Sequence, residues 1–355
     1  MATTAFALAG LGGFNAHGAG FLTAASECGV VPDLITATSG QIVVLADWLQ
    51  GEDLEEALVV PELEHNPATQ IAIAFSGDPG VFRPAYADAI LRWLKPPSPW
   101  DRPLEFVLNR LVPAQLYVPT RKRGDFETIA QSFNSRARVA DKDIGIVFNA
   151  YDFATGKAVL FGNDTARKKW WPPSKKIPQK PLSTGARQRP TNTGSEEPEL
   201  ELRQITAKAV ESALWLSLYG FERLPQPDLI DGAYMRSCIV SELHQFDRIF
   251  VARPLARGWL GKPPRNWFEV QDWQTEMWFS AGYKAEVDTL TQINRLVDNG
   301  TLGHPFKHVD LIEIVPERPA GFFNYFVERK KVFKQAHDEA IKAFSAIGTT
   351  STALR

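Results

Sequence analysis

Short apolar runs alternate with turns and helical segments along residues 1–50. An apolar run at 4–8 ends in a glycine-rich turn at 10–15, and a helical pattern follows at 19–28. A second apolar run at 34–37 leads through a tight turn into an apolar helical segment at 42–49. Strand, turn and helix, repeated in this order, are typical of a mostly parallel sheet covered by helices. The pattern therefore predicts an α/β fold, which we expect to be a three-layer sandwich around a central sheet.

The pattern becomes irregular after residue 52. Residues 52–140 contain helical spacing broken by prolines, so we predict a helical insertion with short helices at 85–94, 104–111 and 126–133. The sheet resumes at 144–149, and a glycine at position 156 predicts a hairpin across 151–161.

Regular patterns return in residues 200–355. Apolar spacing predicts a helix at 200–215 and a long amphipathic helix at 324–344, and apolar runs predict strands at 229–240, 248–252 and 309–315. The chain shows no internal repeat. We therefore expect a single domain over 1–355, with a C-terminal strand and helix within 305–348.

Residues 165–199 have a composition of their own. They contain six prolines and eight Lys or Arg residues, with no acidic residue before Glu196. Such a segment buries too little apolar surface to offset its ordering entropy, so we expect a mobile basic loop. Two interpretations stay open. The segment is a solvated linker, which is the commoner case, or its Trp170 and Trp171 touch anionic lipid headgroups.

Composition narrows the choice of partners and compartment. With 355 residues, of which 44% are hydrophobic and 23% charged, the chain can form the core of a globular protein. A net charge of −2 provides no overall field that would attract nucleic acid, so we expect no nucleic-acid partner. Cys28 and Cys238 are too few for a disulfide scaffold and suit a reducing compartment. We expect a cytoplasmic protein, without a membrane span, that can contact membrane surfaces peripherally.

The first candidate for chemistry is Ser39, in the turn between the second strand and its helix. A serine on such a turn has its hydroxyl lifted clear of the sheet, and Ala37, Thr38 and Gly40 are its close neighbours. The strict Gly-x-Ser-x-Gly pattern is not met, because Ala37 and Gln41 replace the glycines. Taken alone, Ser39 fits a helix N-cap equally well.

Two further motifs accompany this turn. The sequence Gly10-Leu11-Gly12-Gly13-Phe14-Asn15 lets backbone amides converge on a negative oxygen, either of a phosphate or of an oxyanion. It also resembles a degenerate dinucleotide fingerprint, with Asp33 at a tolerable distance for a ribose contact. Asp231-Gly232-Ala233 ends an apolar run, so its carboxylate can point into a cleft, although an ordinary Asp-Gly turn has the same sequence.

The order and spacing of the three motifs resemble the patatin-like phospholipase family. A glycine-rich turn follows the first strand, a serine turn follows the second, and a distant Asp-Gly-Ala follows a later one. The segments 20–30 and 210–213 are similar to the family's helices beside these motifs, and 229–240 with 248–252 look like its closing strands. The resemblance covers roughly 5–50, 144–164 and 200–255.

The resemblance implies a lipid acyl hydrolase that cleaves carboxylic esters of acyl lipids through an acyl-enzyme. Ser39 would be the nucleophile and Asp231 its base, with no histidine, cofactor or metal. Amides near Gly12 and Gly13, together with Gly10, would form an oxyanion hole in which each donor is worth about 2.7–4 kcal/mol. Burial of Asp231 is expected to raise its pKa from the reference value of about 3.9 toward the working pH.

The chain departs from the family within the glycine turn. Phe14 stands where the family usually has Lys or Arg, and Asn15 stands in place of Gly. The missing cation implies weaker stabilisation of the oxyanion or headgroup, or a preference for neutral esters. Three other functions stay open at this point. They are a catalytically impaired lipid-binding module of the same fold, a Ser-His-Asp hydrolase that uses His244, His304 or His308, and a nucleotide-binding protein.

Overall fold

The computed structural model describes residues 2–10, 15–58, 81–85, 117–135, 137–171, 202–255, 258–259, 262–304, 306–315 and 329–352. The helix predicted at 85–94, apart from its first residue, the helix predicted at 104–111, and Gly12 and Gly13 lie outside these described residues.

The described strands are β1 (Thr4–Leu8), β2 (Leu34–Ala37), β3 (Phe82–Pro84), β4 (Tyr117–Pro119), β5 (Arg138–Val139), β6 (Lys142–Asp143), β7 (Gly145–Asp152), β8 (Lys157–Gly162), β9 (Arg203–Gln204), β10 (Leu229–Asp231), β11 (Arg248–Ala252) and β12 (Asp310–Ile314). The described α-helices are α1 (Ala16–Glu27), α2 (Gln41–Gln50), α3 (Leu54–Leu58), α4 (Arg123–Ser135), α5 (Ala207–Ala213), α6 (Trp267–Asp298) and α7 (Arg329–Thr352).

The central sheet has the strand order β12-β11-β1-β2-β7-β8-β9, and β10 pairs with β7. The five strands from β12 to β7 are mutually parallel, whereas β8 and β10 run antiparallel to β7. Strands β1, β2 and β7 are almost wholly apolar and buried, as expected for parallel strands covered on both faces. Their carboxyl ends lie at one edge of the sheet, which is where the turn with Ser39 is placed.

Helices cover both faces of this sheet. On one face, Phe6, Ile35 and Phe148 of the strands pack with α1, α2, α4, α5 and α7. On the other face, Ala7 and Val147 pack with the segment 238–246 and with α6. The structure therefore confirms the predicted three-layer α/β sandwich with a mostly parallel sheet.

The C-terminal helix α7 packs against both α1 and the sheet and so holds α1 in place. Phe344 of α7 lies 5.5 Å from the ring of Phe21 in α1 and 4.8 Å from the ring of Phe250 in β11. The two helices approach so closely at Gly20 that a Cβ there would lie 2.1 Å from the carbonyl oxygen of Phe333. Only glycine permits this approach without displacing α7.

Several predicted elements differ in extent from the structure. The helix predicted at 126–133 is confirmed as α4, but the insertion 52–140 also contains an antiparallel pair, β3 with β4. The helix predicted at 200–215 is shorter, because Thr206 caps α5 by accepting a hydrogen bond from the Ala209 amide and residues before it are extended. Likewise the strand–turn–strand predicted at 229–240 holds one strand, β10. Its end is fixed where the Asp231 side chain caps the next turn.

Two further segments were wrongly predicted or missed. Within the predicted basic loop 165–199, residues 166–170 form a short helical turn whose Trp170 ring packs 4.3 Å from that of Phe246. Residues 172–199 of this prediction lie outside the described residues. The 32-residue helix α6 has no counterpart in the sequence-based prediction. Within 305–348, the structure places β12 and most of α7. Among the described residues, no helix combines the length and apolar character that crossing a membrane would require.

The contact between α1 and α7 yields a test of the packing. We expect Gly20→Ala to destabilise the fold by about 1–3 kcal/mol, because the added methyl group overpacks the crossing. Gly124→Ala in α4 is the matched control, since a Cβ there meets nothing within 4 Å, and it should be neutral or slightly stabilising. Urea unfolding of both variants measures the difference. Equal effects of the two substitutions would contradict the proposed crossing.

Candidate active site

Ser39 occupies a strained turn between β2 and α2. Its backbone φ is 56°, in the left-handed region that side-chain-bearing residues rarely adopt. The turn is fixed by hydrogen bonds from the Thr38 amide to the Leu8 carbonyl (3.2 Å) and from the Ile42 amide to the Ser39 carbonyl (2.9 Å). A strained backbone of this kind persists only where its surroundings determine it, and it is common at sites of chemistry.

Gly10 supports this turn through its lack of a side chain. A Cβ at position 10 would lie 2.1 Å from the Thr38 carbonyl oxygen and 2.8 Å from the Ser39 Cβ. The Gly10 amide donates a hydrogen bond to the Ser237 carbonyl at 2.7 Å. The Gly10 amide therefore already has a partner, and its predicted role as an oxyanion donor would require this hydrogen bond to break.

The register of the sheet places Asp231 next to Ser39. Strand β8 pairs along one side of β7, so β2 and β10 share the other side. Ala37, the last residue of β2, lies opposite Phe148, and Asp231, the last residue of β10, lies opposite Ala150. Because β10 runs antiparallel to β7, it ends just beyond the carboxyl end of β2. The aspartate thus meets the turn that follows β2.

The structure brings the two predicted side chains together. The Ser39 hydroxyl donates a hydrogen bond to Oδ2 of Asp231, while the Ala233 amide donates to Oδ1 at 2.9 Å. The residue between Asp231 and Ala233 must be glycine, because a Cβ at Gly232 would lie 2.4–2.6 Å from the side-chain atoms of Asn149. The Asn149 side chain is itself held by a 2.9 Å hydrogen bond to the Arg236 carbonyl.

The environment of Asp231 changes its acidity. The side chain is 1% exposed, and burial raises its pKa from the ordinary value of 3.8 to about 7. The hydrogen bonds from Ser39 and from the Ala233 amide act in the opposite direction, because they favour the ionised form. The result is a carboxyl group that changes its charge near neutral pH.

A buried polar group missed in the sequence analysis lies behind the turn. His17, in the first turn of α1, donates from Nε2 to the Ala9 carbonyl at 3.0 Å, and burial lowers its pKa to about 3. The Gln41 amide group lies 3.4 Å from the same nitrogen, in space left by the missing side chain of Gly18. Gln41 thus replaces the second glycine of the strict serine motif without a clash. The position of His17 just after the glycine-rich turn was the feature of the sequence that could have indicated a buried polar group there.

The three histidines considered for a triad lie at the opposite edge of the sheet. His244 precedes β11 and His308 precedes β12, so both lie at the amino ends of strands whose carboxyl ends face Ser39. His244 is bonded to the Ser241 carbonyl, and His308 to Asp298. His304 precedes the same amino end of β12. The fold therefore gives the Ser39 hydroxyl no partner among these three.

Asp33, the residue considered for a ribose contact, also lies at the edge of the sheet opposite the glycine-rich turn. Asp33 precedes β2, at the edge opposite the turn that follows β1. Its carboxylate accepts a hydrogen bond from the Thr4 amide at 3.0 Å and pairs with Lys142 at 3.1 Å. Asp33 therefore links the amino ends of β1 and β2. A nucleotide bound at Gly10, at the other edge of the sheet, would not reach it.

A pocket opens onto Ser39 between α2, α4 and α5. It holds about 510 Å³ of empty space, including its open mouth. The polar residues along it are Asn15, Arg121 and Glu211, together with Ser39 itself. The apolar side chains along it are Val43, Val81, Pro119, Phe126, Leu214, Leu216 and Tyr219. A mostly apolar pocket with few polar groups suits the acyl part of a ligand.

Comparisons with known proteins give little further guidance. No protein-family model matches the chain, and no curated protein sequence matches it. Among solved structures, the chain is similar to VipD from Legionella pneumophila, at 10% identity and a TM-score of 0.36, covering 97% of this chain and 67% of that chain. At this TM-score the likeness identifies neither a family nor an activity.

The raised pKa of Asp231 predicts a pH-dependent cost to stability. The unfolded carboxyl ionises near pH 3.8, whereas the folded one stays neutral up to about pH 7. The unfolding free energy of the wild type should therefore fall across this window, by up to about 4 kcal/mol, and level off above it.

Asp231→Asn removes this titration. Its unfolding free energy, relative to wild type, should rise between pH 4 and pH 7 and then stay constant, as measured by urea unfolding. Asp288→Asn, on the exposed side of α6, is the control and should show no such trend. A difference for Asp231→Asn that does not vary with pH would contradict the assignment.

Proposed function

We propose that the protein is a lipid acyl hydrolase of the patatin-like type, in which Ser39 is the nucleophile and Asp231 the general base. One observation carries this proposal. The Ser39 hydroxyl, on a strained turn at the base of an apolar pocket, donates its hydrogen bond to a buried carboxyl group. A nucleophile and base within hydrogen-bond reach are the geometric requirement for covalent ester hydrolysis.

The proposed reaction proceeds in two steps. Ser39 Oγ attacks the ester carbonyl carbon as its proton moves to Oδ2 of Asp231, and the proton then passes to the departing alcohol. Water next attacks the resulting acyl-enzyme and gives its proton to Asp231. The fatty acid leaves, and Ser39 regains its proton. The carboxyl group thus acts once as base and once as acid in each step.

The acidity of Asp231 supports this role. A general base works best when its pKa lies near the working pH, and an ordinary aspartate is too weak a base for this purpose. Burial brings the pKa of Asp231 to about 7, so the ionised form is available at neutral pH.

The negative charge that develops on the carbonyl oxygen requires donors. We propose the amides of Gly12 and Gly13 for this role, with the Gly40 amide at the amino end of α2. Helix α2 begins at Gln41, two residues after the nucleophile, so its positive end would favour an oxyanion formed next to Ser39. Such donors typically contribute about 2.7–4 kcal/mol each.

The substrate proposed is an acyl lipid or another ester with an apolar acyl chain. The apolar side chains of Val43, Phe126 and Leu214, which line the pocket, support binding of the acyl chain of the substrate. The alternative is a catalytically impaired lipid-binding module with the same fold. It is favoured by the altered glycine turn with Phe14 and Asn15, by the basic segment with Trp170 and Trp171, and by the Gly10 amide, which donates to Ser237.

The first test is the loss of the nucleophile. Ser39→Ala should lower kcat for ester hydrolysis at least a thousandfold, on the order of what nucleophile removal costs in serine hydrolases. Ser132→Ala is the matched control, since Ser132 is a buried serine whose hydroxyl bonds within α4, and it should retain activity. A panel of nitrophenyl esters of increasing chain length measures both. Full activity in Ser39→Ala would overturn the proposal, and inactivity of the folded wild type on every ester would favour the binding module.

The second test is the pH profile. Because Asp231 must be ionised to accept the proton, kcat/KM should rise about tenfold per pH unit below pH 7 and reach a plateau above it. The separate replacements of His244, His304 and His308 by alanine should leave this profile unchanged. A rate that is already maximal at pH 5, or one that any of the three replacements abolishes in a folded protein, would contradict the Ser39–Asp231 assignment.

A further inference from the structure

The first half of helix α6 exposes its aromatic side and buries a carboxyl group. Trp267 and Trp278 are 66% and 56% exposed, whereas Glu276 is fully buried. Eleven residues make about three helical turns, so the two tryptophans lie on one side of the helix, with Gln271 and Gln274 between them. This outward side carries no charged residue among the described side chains of 267–281. A helix that faces only water has the opposite arrangement.

The exposed apolar surface continues beyond the helix. The Tyr234 ring lies 6.1 Å from that of Trp278, and the neighbouring Met235 is 41% exposed. The Tyr234 hydroxyl accepts a hydrogen bond from the Ser217 amide at 2.9 Å, so the backbone just before Leu218 meets Tyr234. Leu218 and Phe221, in the same short segment, are 45% and 52% exposed, and the Phe221 ring lies 5.4 Å from that of Phe153. We call this group of residues, Leu218, Phe221, Tyr234, Met235 and Trp278, the aromatic rim.

The aromatic rim borders the candidate active site. Tyr234 and Met235 follow Asp231 by three and four residues. Leu216 and Tyr219, on either side of Leu218, line the pocket that reaches Ser39. The rim is therefore continuous with the mouth of the pocket rather than a separate patch.

We propose that the aromatic rim docks the protein onto the surface of a lipid aggregate with electrically neutral headgroups, such as phosphatidylcholine. This inference rests on the proposed function, because the lipid surface supplies the ester that enters the pocket. Tryptophan, tyrosine and methionine side chains combine apolar area with polar or polarisable groups, as at membrane interfaces. Among the described side chains of 267–281, the outward side of α6 has no cation for an anionic surface. Beside Phe221, the exposed Arg223 is accompanied by the oppositely charged Glu222, so apolar burial should dominate the binding.

In this proposal the aromatic rim, rather than the basic segment considered in the sequence analysis, makes the lipid contact. Trp170 and Trp171 are partly buried against the core on the α6 face of the sheet, so part of their apolar surface is already covered. The aromatic rim also accounts for membrane-surface contact without a basic loop. Binding to it should consequently depend little on salt, unlike attraction of lysines and arginines to anionic lipid.

The test measures binding separately from hydrolysis. Sucrose-loaded phosphatidylcholine vesicles are pelleted with Ser39→Ala protein, which leaves the lipid intact, and with the same protein carrying Trp278→Ala and Phe221→Ala. We expect the affinity of the rim variant for the vesicles to fall by about tenfold or more, because two exposed aromatic anchors are lost. Leu296→Ala is the matched control, an exposed apolar residue about 27 Å further along α6, and it should bind normally.

Salt and lipid charge complete the test. Binding should persist between ionic strengths of about 0.01 M and about 1 M and should not require phosphatidylserine. The proposal is overturned if phosphatidylcholine vesicles are not bound, if binding needs phosphatidylserine and disappears at high salt, or if the rim variant binds as well as its parent. It is equally overturned if light scattering shows a dimer that the rim substitutions dissociate, since a second copy would then cover the surface.

A water-soluble short-chain ester keeps the two proposals apart. In a background with Ser39 intact, the rim substitutions should leave its hydrolysis within about twofold of wild type, because docking is not needed for a dissolved substrate. Hydrolysis of this ester without vesicle binding contradicts the aromatic rim alone. Vesicle binding by a wild type that hydrolyses no ester contradicts the proposed function and leaves the docking surface standing.

Discussion

The hydrogen bond from Ser39 to Asp231 depends on how two strands divide one side of β7. Strand β2 pairs with β7 as far as Phe148, and β10 pairs with it from Ala150 onward, in the opposite direction. The end of one strand therefore faces the end of the other, although 192 positions separate the two residues in the chain. Two glycines make the approach possible. Gly10 lets β1 come against the serine turn, and Gly232 lets the chain turn beside Asn149.

Burial of the Ser39–Asp231 pair raises the pKa of Asp231 and lowers the stability of the folded protein at neutral pH. A carboxyl group removed from water is harder to ionise, so Asp231 titrates near neutral pH, while His17 behind the same turn stays neutral. The protein must support a strained serine and a costly carboxyl group at one place. Helices α1 and α7 on one face and α6 on the other enclose the strands that position them. The same helix α6 extends toward solvent as part of the aromatic rim, so the layer that supports the sheet also shapes the surroundings of the pocket.

Local patterns in the sequence were sufficient for the first two strand–helix units, because each apolar run and each turn there is short and contiguous. They also offered Ser39 and Asp231 as candidates, which the resemblance to the patatin-like family selected, although the contact between them follows from sheet register, which a single sequence does not contain. The role of Gly10 depends on how closely β1 approaches the serine turn, so the hydrogen bond of its amide to the Ser237 carbonyl could not be predicted from the sequence. Helix α6 was missed despite its Asn266 cap, which accepts from the Glu269 amide, because its outward tryptophans obscure the usual amphipathic pattern.

The most direct measurement is covalent labelling by a reactive alkyl phosphonate, with the modified residue located by mass spectrometry. A phosphonate reports nucleophilicity at one oxygen and needs neither the natural headgroup nor a lipid surface. We expect a single adduct on Ser39, formed faster as the pH rises toward 7 and strongly slowed in Asp231→Asn. A folded protein that is never labelled at Ser39, or one labelled there equally fast without the Asp231 carboxylate, would contradict the Ser39–Asp231 pair as the centre of its chemistry.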